Sequence, residues 1–171
     1  MEATTYIPII TDKDRVTGCC PLFHPKEWDG KVFDFSNYQF ARTSTRSFFY
    51  IPINMTRVMR KVQAAIDEAG AAPIDRYLML SEDVSLFKCN HDVLVTKAVP
   101  GYPQIVVKGK WLAKVYEGFY KDLPNWMRDM QKIALDKNLT LQRVMTYYTT
   151  CPNCAKKYGH NYVVLFGLIA E

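Results

Sequence analysis

One arrangement, met twice along the chain, constrains the fold more than any other feature: two strand-like runs, a helix, then two more strand-like runs. The first helix reads "NMTRVMRKVQAAIDEAG", with Asn54 as N-cap and Gly70 just past its end. Met55, Val58, Met59, Val62, Ile66 and Ala69 recur at helical spacing and form its apolar stripe. "KVFDF" and "FARTSTRSFFYIP" precede it across the turn-like "SNYQ", and "RYLML" and "HDVLVTKAV" follow. The second helix reads "DLPNWMRDMQKIALDKN", with Asp122 as N-cap and Pro124 in the first turn, where its missing N–H costs little. Its stripe is Leu123, Trp126, Met127, Met130, Ile133 and Ala134. "YPQIVV" and "WLAKVYEGFY", split by "KGK", come before it, and "LQRVMTYYT" and "NYVVLFGLI" come after. The closing pairs are joined by loops expected at 82–90 and 150–160.

The residues echo this order. Phe49 and Phe119 lie 70 positions apart and Met59 and Met127 lie 68 apart, so a two-residue gap aligns them. The expected class is α+β: a single domain, 1–171, of tandem duplicated strand-strand-helix-strand units at about 30–99 and 102–170. An irregular segment, 1–29, precedes them. The strands are expected to be antiparallel, with both helices on one face and a ligand seam between the repeats.

Composition excludes several classes. No apolar run approaches the roughly 18 residues that cross a bilayer, and "MEATTYIPIITDKDRV" lacks signal-peptide character. A cytoplasmic location without a membrane partner is expected. The net charge of +5 is spread along the chain, its longest cluster being Lys156 and Lys157, so no nucleic-acid partner is expected. The oligomeric state is left open.

Five cysteines, Cys19, Cys20, Cys89, Cys151 and Cys154, odd in number and unevenly spaced in a chain expected to be cytoplasmic, argue against a disulfide framework. "CPNC" spaces two thiolates as a tetrahedral Zn²⁺ site requires. Cys19 and Cys20 in "GCCPLFHP" supply the remaining ligands, so the expected metal set is Cys19, Cys20, Cys151 and Cys154 around a structural Zn²⁺. A three-thiolate site completed by His24, His160 or water is a second arrangement, and an open position there would activate water. Ordinary loop cysteines are a third reading. Cys89 and His91 fall in the other inter-strand loop. A redox pair is disfavoured, because such a pair begins a helix and "AKKYGHNY" soon reaches Gly159 and a strand.

The aromatic residues Trp111, Tyr116, Phe119 and Tyr147 fall around the expected seam and are candidate ligand-binding residues. Alternation puts Trp111 and Val115 on one strand face and Leu112 and Tyr116 on the other. Glu117 is the candidate general base and Tyr148 the candidate to polarise a leaving group, although a strand-end Glu117 that is solvated or paired with a lysine such as Lys114 is the plainer reading. "RTSTR" places Arg42, Ser44 and Arg46 on one face, read as exposed to solvent. His24 has no assignable partner, and "WDG" is a turn.

"GKWLAKVYEGFYKDLPNWMRDM", with Gly118, Phe119 and Tyr120 at a strand-to-helix turn, resembles the gyrase-inhibitor-like (GyrI-like) small-molecule-binding domains. "GCCPLF", "RSFFYIPIN", "VYEGFYKD" and "YYTTCPNCAKKYGHNYVVLF" resemble, over nearly the whole chain, a group of bacterial proteins labelled hydrolases. The resemblance implies a small-molecule ligand and hydrolysis of a lipophilic or electrophilic compound. The alternative is a zinc-stabilised structural or interaction module without catalysis. Drug-sensing members of the first family carry a buried glutamate on the strand after the second helix. Here that strand reads "RVMTYYTT", with Met145 and Thr146 in its place, which departs from recognition of lipophilic cations.

Overall fold

The computed structural model describes residues 2–170. In chain order the elements are β1 (Val32–Asp34), β2 (Gln39–Phe48), β3 (Ile51–Pro52), α1 (Met55–Glu68), β4 (Met79–Ser85), β5 (Lys88–Val95) and β6 (Gln104–Ile105). Then follow β7 (Lys110–Glu117), α2 (Leu123–Asp136), β8 (Leu141–Tyr148), α3 (Pro152–Tyr158) and β9 (Tyr162–Ile169). The class is α+β, and the pairs β1–β7, β2–β3, β2–β5, β2–β6, β4–β5, β7–β9 and β8–β9 are antiparallel. Among the described residues no helix is long and apolar enough to cross a membrane.

Two compact units form, one from Met1–Asp34 with Gly109–Glu171 and the other from Phe35–Lys108. Each contains a strand, a long helix and two more strands in that order, with the short α3 inserted between the last two strands of the first-named unit. The first strand-like run of each sequence half, however, is built into the other unit. β1 pairs with β7, from Val32 opposite Leu112 to Asp34 opposite Lys110. β6 is only two residues long and pairs with β2 instead of β7. Gly101 (φ 81°) and Gly109 (φ 95°) turn the chain on either side of it, and the Pro103 carbonyl accepts the Arg42 N–H at 2.9 Å.

In the unit spanning 35–108, β2, β5 and β4 form the ladder, and α1 lays Val62 and Ile66 on Ala41, Met79, Val93 and Val95. Gly70 ends α1 with φ 58°, the left-handed conformation that a side chain resists. The expected loop at 82–90 is instead mostly strand, because β4 and β5 run on to a turn of Leu86 and Phe87. Arg42 is not on a free solvent face: it grips buried Asp92 with two hydrogen bonds of 2.6 and 2.7 Å. Cys89 and His91 lie buried on β5 rather than in a loop.

The other unit orders its strands β1-β7-β9-β8. α2 covers one face with Trp126 and Met130 against Val32, Leu112, Val163 and Leu165. The opposite face carries Trp111, Tyr147 and Phe166, and here the irregular N-terminal segment packs. Trp28 lies 5.7 Å from the Tyr147 ring and 5.9 Å from Phe166, and Phe23 lies 5.8 Å from Tyr162. A segment with no long element of its own is thus fixed by two buried rings. It is also tied to β7, where Asp29 accepts the Val115 N–H at 2.9 Å and pairs with Lys114 at 3.0 Å. That pairing leaves Lys114 on Asp29 rather than on Glu117.

His91 stitches three strands. Its Nδ1 lies 2.8 Å from Ser81 and its Nε2 lies 2.9 Å from Thr45, all three buried. Burial holds its pKa down at about 4 against an ordinary 6.5, so the folded protein keeps the ring neutral. As pH falls through 6.5, the unfolded chain takes up a proton that the folded chain refuses. Stability is therefore expected to fall by about 3 kcal/mol between pH 6.5 and 4 on this account. Urea unfolding across that window checks it, and a His91→Asn variant should show a flatter profile.

Candidate metal centre

"TTCPNCAKKYG" folds as a strand end followed by one short helix. Cys151 is the N-cap of α3 in extended conformation (φ −74°, ψ 162°), Pro152 occupies the first turn, and Gly159 ends the helix at φ 76°. Cys151 and Cys154 therefore stand on one side of the first turn. The sequence expectation of a loop here is corrected, and with it the argument that "CPNC" does not begin a helix. Seven residues suffice, because proline supplies the starting φ and glycine the left-handed stop.

The second knuckle comes from residues 11–24. Asp14 organises that loop. Its carboxylate accepts the Thr11 N–H at 2.8 Å and the Thr11 hydroxyl at 2.7 Å, and it meets His24 Nε2 at 2.7 Å. The His24 bond, followed by the Thr11 hydroxyl, holds the Asp14 pKa down to about 2. The Leu22 N–H then closes the loop on the Asp14 carbonyl at 2.7 Å, and Gly18 (φ 68°) turns the chain into Cys19 and Cys20.

These two knuckles meet. The sulfurs of Cys19, Cys20, Cys151 and Cys154 all lie within 4.8 Å of one another. The Cys19 and Cys20 sulfurs are 3.8 Å apart, and a tetrahedron of about 2.3 Å Zn–S bonds has edges of about 3.8 Å. All five cysteines are free thiols. Cys154 is buried, Cys20 and Cys151 are half-buried, and Cys19 is exposed, so an ion has a route in past Cys19.

Polar groups support the sulfurs. The Cys151 N–H donates to Cys20 Sγ at 3.2 Å, across 131 residues of sequence. Thr17 sits between the knuckles: its hydroxyl donates to the Cys20 carbonyl at 3.0 Å and lies 3.3 Å from Cys154 Sγ. Tyr158 donates to that same carbonyl at 2.7 Å. The Thr17 hydroxyl, helped by backbone at Cys20, lowers the Cys154 thiol to about 6. Cys20 moves the other way, because burial pushes its thiol up. A cation held here would be bound by the four sulfurs as thiolates, with release of their protons.

Neither histidine considered as an additional ligand joins the cluster. His24 is held by Asp14, and His160 lies against the Tyr158 and Tyr162 rings. Cys89 stands apart on β5, its thiol pushed up to about 12 by burial and then by Asp83.

The other sequence-predicted residues are not gathered into one place. Glu117 is exposed at the end of β7 opposite Tyr162, whereas Tyr148 pairs with Val163. Adjacent residues of a strand point to opposite faces, so Glu117 and Tyr148 lie on opposite faces of their sheet. Trp111 and Tyr147 are buried on the face that Trp28 covers. Tyr116 is on the α2 face, stacked on Trp126 at 5.4 Å with its hydroxyl donating to Asp129 at 2.9 Å. Phe119 is exposed beside Lys121.

A family model described as bacterial hydrolase matches residues 10–169. The chain belongs to this family. No curated protein matches the sequence. The family match includes all four clustered cysteines, the loop that presents one pair and the helix that presents the other. Sequence reasoning missed Thr17, Tyr158 and the Asp14–His24 pair. A proline one residue after Cys151 and a glycine seven residues later were a usable signal for α3, whereas the roles of Thr17 and Asp14 rest on contacts with no local pattern.

Proposed function

We propose that this member of the bacterial hydrolase family is clamped by one Zn²⁺ at Cys19, Cys20, Cys151 and Cys154, and that the ion is structural. The observation that carries this reading is the convergence of four free thiols within 4.8 Å, drawn from two distant segments. Four thiolates fill a tetrahedral ion, whereas catalytic zinc sites keep a position for water. The ion would add a cross-link over a closed loop of more than a hundred residues, and so remove entropy from the unfolded chain. The redox alternative is less well supported, because a dithiol pair has no use for two more thiols at contact distance. Elemental mass spectrometry of untagged protein is expected to give one zinc per chain. Thiol titration should find the four cysteines protected until chelator is added. Cys154→Ser should lose the metal, and Cys89→Ser should keep it.

A second reading is favoured by the family match: binding and hydrolysis of a small lipophilic or electrophilic compound. The order of strand, long helix and two further strands, common to both units apart from the inserted α3, supports a GyrI-like relationship and a small-molecule ligand. With the ion saturated, the attacking water would need a base elsewhere, and solvent-accessible Glu117 is the proposed one. Glu117→Gln should leave thermal stability unchanged and abolish hydrolysis of an identified substrate. Activity that survives the change would remove Glu117 from the mechanism.

A further inference from the structure

The unit spanning 35–108 carries an apolar tip at one end of its ladder. β2 turns into β3 through Phe49 and Tyr50, and β4 turns into β5 through Leu86 and Phe87. Phe48 and Ile51 are each 61% exposed, Ile53 68%, Phe49 57% and Phe87 55%. Isolated exposed apolar residues are ordinary, but a contiguous group of them marks an interaction site. The rings are gathered rather than scattered, with Phe48 4.8 Å from Phe49 and Phe49 6.1 Å from Phe87.

The backbone holds this group outward at a cost. Phe49 (φ 46°) and Tyr50 (φ 68°) both adopt the left-handed conformation, which bulky side chains avoid and which asparagine and glycine would adopt without strain. The Ser47 N–H to the Phe87 carbonyl, 2.9 Å, and the Tyr50 N–H to the Leu86 carbonyl, 3.0 Å, tie the two turns together.

Just behind the rings, Arg46 and Lys88 stand directly opposite each other across β2 and β5. Like charges in that position destabilise a ladder. Both are exposed, and neither has an ion-pair partner among the described residues. Glu82 is one row further from the tip, opposite Asn90, and Asp83, opposite Cys89, belongs to the other face.

We propose that residues 48–53 and 87 dock this protein peripherally on an anionic lipid surface. The rings enter the boundary between headgroups and acyl chains, while Arg46 and Lys88 meet lipid phosphates. The spacing fits: two residues of strand cover about 7 Å, and interfacial segments bury to roughly 5–10 Å. An anionic surface relieves the Arg46–Lys88 repulsion, and the net charge of +5 acts in the same direction. Docking of this kind requires no spanning segment, so it is compatible with a sequence that has no long apolar run.

The test is flotation of the metal-replete protein with phosphatidylcholine vesicles, with and without phosphatidylglycerol. The wild type should float with the anionic vesicles, less so as salt rises, and poorly with phosphatidylcholine alone. Arg46→Gln and Lys88→Gln should each weaken binding roughly fivefold. The Phe48→Ser/Phe49→Ser double variant should stay unbound. The exposed single change Ile53→Ser, which removes no core contact, should weaken binding while the circular-dichroism melt stays unchanged. Failure of the wild type to float, or flotation insensitive to the aromatic substitutions, would overturn the proposal. So would light scattering that finds a dimer abolished by Ile53→Ser, because the tip would then be a protein interface.

Discussion

Four thiols brought within 4.8 Å of one another impose a condition on the rest of their unit. Sulfur atoms this close gain little from each other, and as thiolates they repel. A divalent cation bound here would turn that repulsion into four bonds. Everything around the cluster serves to bring its halves together. Trp28 and Phe23, buried against β8 and β9, carry the N-terminal segment to the right place. Asp14 shapes the loop that bears Cys19 and Cys20, and Pro152 with Gly159 shapes the helix that bears the other pair. Thr17 and Tyr158 then join loop and helix through the Cys20 carbonyl.

The same arrangement separates two roles. A tetrathiolate ion is coordinatively full, so it contributes to stability and leaves chemistry to other groups. Of the aromatic residues nearest in sequence, Trp111 and Tyr147 are buried, and Tyr116 stacks on Trp126 and donates to Asp129. Exposed Glu117 keeps access to water but has no second catalytic group on its face among those the sequence suggested. In the unit spanning 35–108 the conspicuous surface is the aromatic tip, whose left-handed turn and facing cations both break local rules. Such violations are expected where a surface has work to do.

How much of this was legible in sequence depended on the range of the interaction. α1 and α2 were readable because their stripes and their flanking Gly70 and Pro124 are local signals. The four cysteines were readable because "CPNC" fixes two ligands and "GCC" holds the nearest adjacent pair. The knuckle's helix was hidden by its brevity. The exchange of β1 and β6 was hidden because strand pairing is a long-range choice that alternation does not encode. Parity decided the fate of Glu117 and Tyr148: a register one residue different would have put them on one face. The partners of Arg42 and His24, 50 and 10 residues away, leave no trace in their own segments.

Zinc K-edge X-ray absorption on the protein as purified addresses the central claim most directly. Four sulfur neighbours at about 2.3 Å are predicted, with no light-atom ligand. Three sulfurs with one oxygen or nitrogen at about 2.0 Å would contradict a closed structural site and return water activation to the metal. Absence of zinc from protein that is folded and fully thiol-reactive would contradict the clamp itself.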